Sequence, residues 1–168
     1  MSGLDLSRLA PSDAAAALRS YPRRYRAVLQ PVKDDEDVEE LAHRAGPDGV
    51  SGIQLLSDAT RTLAILAEAL HQITVNPTPV VHAAVVDATQ RQWETAPPEQ
   101  LDDALTLLAN EATGMADAIE HVPPEAWTRT GTVAGGGSVS ALDVVREAVR
   151  VGRAGLTDIE KTLRSVRG

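Results

Sequence analysis

SVSALDVVREAVRVGRAGLTDIEKTLRSVR, Ser138 to Arg167, is the longest periodic stretch of the chain. Leu142, Val145, Val149, Gly152, Leu156, Ile159, Leu163 and Val166 follow one another at alternating spacings of three and four, which stacks them on one face of an α-helix. Arg146, Glu147, Arg150, Arg153, Asp158, Lys161 and Arg164 fall on the other faces, and Glu160 is placed to pair with Arg164. Ser138 or Ser140 is positioned to cap the first turn. A seam of this kind is stable only against partner helices, so the stretch predicts a bundle.

Three segments supply the partners. Ser12 is expected to cap a first helix over 12–29, with Pro11 stopping anything earlier and Pro22 kinking or dividing it. Ser51 caps a second over 51–74, whose inward face is Ile53, Leu56, Thr60, Leu63, Ala67 and Leu70. Pro97 and Pro98 open a third over 98–121, lined by Leu101, Leu105, Leu108, Ala112, Met115 and Ile119. Between them, Lys33 to Ala45 is acidic and carries a short amphipathic turn through Val38 and Leu41, its run Asp34 to Glu40 a solvated face. GPDGVS reads as a loop. Val80 to Glu94 reads as a shorter helix, although its valine pairs leave a strand open. PPEAWTRTGTVAGGGS is expected to be irregular, anchored by the Trp127 indole and hinged at Gly135 to Gly137. The expected fold is all-α: a four-helix bundle in a single domain over 1–168, with Leu63, Leu70, Leu105, Leu108, Val149, Leu156 and Ile159 in its core.

Composition narrows the classes. The chain has 168 residues and no cysteine, which excludes disulfides, thiolate metal sites and cysteine nucleophiles. A net charge of −8 opposes a nucleic-acid partner. No apolar run is long enough to span a bilayer and no secretory leader is evident, so the expectation is a soluble cytoplasmic protein without a membrane partner. Two Trp, two Tyr and no Phe leave a core of Leu, Val, Ile and Ala, which suits packed helices better than a β-sandwich.

A proline-bearing first helix, the second-helix stretch GPDGVSGIQLLSDATRTLAIL, the connection VPPEAWTRTG and a last helix ending LTDIEKTL occur in an order that resembles the DinB/YfiT-like superfamily. The likeness covers most of the chain. VPPEAWTRTGTVAGGGSVSALDVVREAV in particular resembles the actinobacterial members related to the N-terminal domain of mycothiol-dependent maleylpyruvate isomerase. The resemblance implies a four-helix bundle with non-sequential packing and a tendency to dimerise. It also implies, for many members, a divalent metal held by one histidine of the second helix and two, four apart, on the last. Carried onto this chain, those positions are Asp58, Val151 and Gly155, and none is histidine. Val and Gly side chains cannot ligate a metal, and the last helix has no histidine. Glu147, Asp158 and Glu160 form no obvious substitute trio. The resemblance thus implies the fold with a degenerate metal site, which Asp58→His, Val151→His and Gly155→His together are expected to rebuild.

From the residues alone, Asp58 lies away from the apolar arc of its helix and reads as a solvated surface or a polar interhelix contact, with a site role as the alternative. His43, His71, His82 and His121 are scattered without ligand spacing and read as surface residues. Asp87 with Glu94, or Asp102 with Asp103, can be offered as acid and base, but nothing in the sequence brings either pair to a pocket. GTVAGGGS lacks the Lys and Ser/Thr of a phosphate loop. Gly152 and Gly155 each cost roughly 1 kcal/mol against Ala inside a helix. Close approach of a neighbouring helix is the first explanation, and room for a small ligand the second. The expected function is a metal-free, non-catalytic bundle, a homodimer, that binds a small molecule or a protein partner without a cofactor. The alternative is a transferase or isomerase dependent on a divalent metal (zinc or nickel) or on a thiol (mycothiol), with a rearranged site. Catalytic and cofactor-binding residues stay unassigned.

Overall fold

The computed structural model describes residues 5–93 and 96–168. Four long helices form the bundle: α1 (Pro11–Val28), α3 (Gly52–Val75), α4 (Leu101–Glu120) and α5 (Ala141–Val166), with the short α2 (Val38–His43) beside them. Helix α1 packs on α4 and α5, and α3 packs on the same two. Consecutive long helices α1 and α3 therefore lie on a diagonal, as do α4 and α5, and long connections join each diagonal pair. The seven residues expected in the core are all buried. The last helix begins under a side-chain cap from Ser140, which accepts from the Asp143 amide at 3.0 Å, and Ser51 caps α3 in the same way at 3.2 Å. No helix of the described residues is long and apolar enough to cross a membrane.

Four local expectations are corrected. Helix α1 starts with Pro11 at its first position, where a missing N–H costs nothing, and Ala10 rather than Ser12 is the cap residue. It also continues through Pro22, held on both sides by Tyr21 and Tyr25, whose hydroxyls donate to α5. Helix α4 begins at Leu101 rather than at the prolines. Its first amide donates to both carboxylate oxygens of Glu39 on α2, at 3.0 and 3.1 Å. So the acidic run is more than a solvated face: Glu39 caps α4, and Glu36 pairs with Arg167 at 2.8 Å.

The segment expected as a helix over Val80 to Glu94 is instead β1 (Val80–Val81) followed by two short 3-10 turns, Ala83–Val85 and Ala88–Gln90. His82 and Asp87 accept from the amides of Ala84 and Thr89, side-chain bonds that compete with a helical ladder. Glu94, both as the helix end and as the partner of Asp87, lies outside the described residues. The connection expected to be irregular forms a hairpin, β2 (Thr130–Val133) and β3 (Ser138–Ser140). β2 is antiparallel to β3 and parallel to β1, with Val80 opposite Thr132 and Thr130 opposite Ser140. Gly135, Gly136 and Gly137 turn it with φ of 94°, 125° and 89°, values that glycine adopts without strain. Arg129, just before β2, closes the end of α3 by donating to the carbonyls of Thr74 and Asn76 at 2.9 and 2.8 Å.

Candidate functional site

Asp58 on α3 and Val151 and Gly155 on α5 line one cleft of about 190 Å³, together with Thr62, Trp93 and Arg150. Three positions widely separated in sequence are thus brought together by the α3–α5 packing. The cleft shares Leu55 and Asp158 with an adjoining hollow of about 350 Å³ reaching Lys161 and Ser165, so the two form a trough along the α3–α5 groove.

Helix α1 packs against α5 behind it. The Tyr21 hydroxyl donates to the Val149 carbonyl at 2.7 Å and that of Tyr25 to the Gly152 carbonyl at 2.6 Å. Burial pushes both phenols up, so they stay protonated donors. A methyl at Gly152 would meet the Tyr21 ring at 2.2 Å, and one at Gly155 would meet Tyr25 Oη at 2.3 Å. Close approach of a neighbouring helix is therefore the reason for both glycines. The same contact stands against rebuilding a metal site with three histidines, because a side chain at 155 requires the Tyr25 hydroxyl to move.

Asp58 is half-buried in the trough, a polar interhelix position. Burial raises its carboxyl above the ordinary aspartate value, against the opposing pull of a 2.8 Å hydrogen bond from Gln54 Nε2 and of the Arg61 charge. Trp93 Nε1 donates to Thr62 Oγ1 at 3.3 Å. At the upper end, Arg91 donates to the carbonyls of Ala84 and Val85 and to Glu147 at 2.7, 3.1 and 2.9 Å, and Arg150 grips the same carboxylate. Burial works to raise Glu147, but the bonds from Arg150 and Arg91 outweigh it and hold the carboxyl below the usual range. Arg91 and Trp93 were not legible as cleft residues, because they sit on an irregular segment without periodicity. Tyr21 and Tyr25 left a faint signal, two aromatics one turn apart on one helix and two glycines on another.

The donor set does not fit a divalent metal. Among the described residues the cleft offers two carboxylates, Asp58 and the exposed Asp158, while the guanidiniums of Arg91 and Arg150 line it as well and oppose a cation. Among the described residues no three His, Cys, Asp or Glu side chains converge. His43, His71, His82 and His121 are all exposed, in keeping with their reading as surface residues. Asp102 is exposed and pairs with Arg26 at 3.0 Å, and Asp103 is exposed too. Asp87 is occupied with the Thr89 turn.

No family model matches the sequence, and no curated protein does. Among solved structures, the chain is similar to YfiT from Bacillus subtilis, "a probable metal-dependent hydrolase with an unusual four-helix bundle topology". The TM-score is 0.72 at 12% identity, over 98% of this chain and 91% of that one. The fold is thus a four-helix bundle of the YfiT topology, the architecture that the resemblance in the sequence implied.

Proposed function

We propose that this bundle acts by binding rather than by catalysis, as a homodimer, and that the α3–α5 trough receives a small molecule without the help of a metal ion. One observation carries the reading. Where a histidine-bearing relative would present donors from α5, this chain has Val151 and a glycine whose side-chain space is taken by the Tyr25 hydroxyl. That exchange supports a site repacked for apolar contact and hydrogen bonding, with Asp58, Thr62 and Trp93 among its polar groups beside Arg91, Arg150 and Asp158. The hydrolase activity suggested for YfiT is not carried over, because the donors it would need are replaced.

Elemental analysis after dialysis without chelator tests the claim, and no stoichiometric metal is expected. Added zinc or nickel is also expected to leave the thermal midpoint unchanged, since only an ion that binds the folded state preferentially raises it. One equivalent of retained zinc, nickel or iron would overturn the reading in favour of a metal-dependent enzyme.

A further inference from the structure

Helix α3 faces two grooves. Asp58 looks toward α5, while Arg61, a turn later, looks toward α4. Between α3 and α4 lies a second cleft of about 350 Å³, with Arg61 and Ala64 on one wall, Leu107 and Glu111 on the other, and Pro97 and Pro98 at the end. This is within the lower part of the range of about 300–1,000 Å³ found for small-molecule sites.

Two polar groups there have no hydrogen-bond partner among the described residues. Arg61 Nε is buried and, among the described residues, donates to nothing. A buried guanidinium N–H left in that state costs free energy, which an acceptor in the cleft would restore. Glu111 is half-buried and burial pushes its carboxyl up, with no hydrogen bond or neighbouring charge among the described residues offsetting the effect. Arg61 and Glu111 thus line one cleft without pairing with each other. Beside them Leu107 is 48% exposed, while Leu105 and Leu108 on the same helix are buried, so the cleft has an exposed apolar rim.

A cation and an anion held apart in a small, otherwise apolar cleft match a ligand that carries both charges on a short skeleton. We propose that this cleft binds a free α-amino acid with an apolar side chain: Arg61 takes the carboxylate, Glu111 the ammonium, and Leu107 and the two prolines the side chain. Arg favours a planar carboxylate, which its fork can meet with two hydrogen bonds. A phosphate would be opposed by Glu111, and an uncharged apolar molecule would leave both charges unmatched. The site is separate from the α3–α5 trough and stands without it.

Calorimetric titration of the full chain with L-leucine, L-methionine and L-phenylalanine tests the proposal. At least one is expected to bind saturably at one equivalent. N-acetylation or amidation of that amino acid is expected to weaken binding by about tenfold or more, since each removes one charge. Arg61→Gln and Glu111→Gln should each bring a comparable loss in a protein that still unfolds cooperatively. If Arg61→Gln does not fold, the wild-type protein with the acetylated and amidated ligands decides the matter. No saturable binding of the three amino acids at millimolar concentration would overturn the proposal. So would equal binding of the acetylated or amidated forms, or tighter binding of inorganic phosphate.

Discussion

At the scale of single residues, the fit between α1 and α5 rests on two tyrosines set into two glycines. Gly155→Ala gains roughly 1 kcal/mol of helix propensity. It also drives a methyl to 2.3 Å from Tyr25 Oη, against overpacking costs of about 1–3 kcal/mol, so a net loss of stability is expected. In a Tyr25→Phe background the nearest obstacle retreats to 3.4 Å, and the same substitution should cost much less. Urea unfolding of the four proteins in the cycle measures this coupling, and additive effects would show that the hydroxyl does not fill the position. Asp58 yields a pH prediction. Its folded-state carboxyl titrates above the unfolded value, so the folded protein retains a proton that the unfolded chain has lost. This contribution favours folding in acid and is lost as pH rises through the carboxylate range. Asp58→Asn should therefore gain stability relative to wild type as pH climbs from acid toward neutral, with no further gain once the folded carboxyl has ionised. A difference that does not change with pH would refute it.

At the scale of elements, caps separate what is local from what is not. Ser140 and Ser51 stand directly before the helices they cap, where any reader of the sequence finds them. Helix α4 has no side-chain cap of its own and borrows Glu39, which lies 62 residues away. Glu39→Ala should cost about 1 kcal/mol in urea unfolding, the usual value of a helix cap, with an added part from charge at a helix N-terminus. Glu39→Gln keeps an acceptor oxygen and should cost less. Equal costs for the two would mean that the hydrogen bond to Leu101 contributes nothing. The hairpin follows the same logic: Gly135 to Gly137 mark a turn, but the strands on either side are short and exist because β2 finds both β1 and β3.

At the scale of the whole molecule, the bundle is a ring in which α1 and α3 each contact α4 and α5. The two glycines of α5 are filled inside that ring by the tyrosines, so a dimer has to draw on exposed apolar side chains such as Val75, Val80 and Leu107. Light scattering is expected to report a dimer, and a monomer at high concentration would reject it. The sequence alone determined the four long helices, the inward face of α4, most of those of α3 and α5, and the caps of α3 and α5, because helical periodicity is written within four residues of each position. The order of its motifs determined the fold and named Asp58, Val151 and Gly155, which do share a cleft. Only the tertiary structure decided that Tyr25 occupies the space of residue 155 from 127 residues before the carbonyl it bonds. It alone brought Arg91 and Trp93 to the trough, turned Val80 and Val81 into a strand and set Arg61 and Glu111 in a second cleft without pairing them with each other. Contacts across such separations leave no periodic trace along a chain, and they form only when packing brings the partners together.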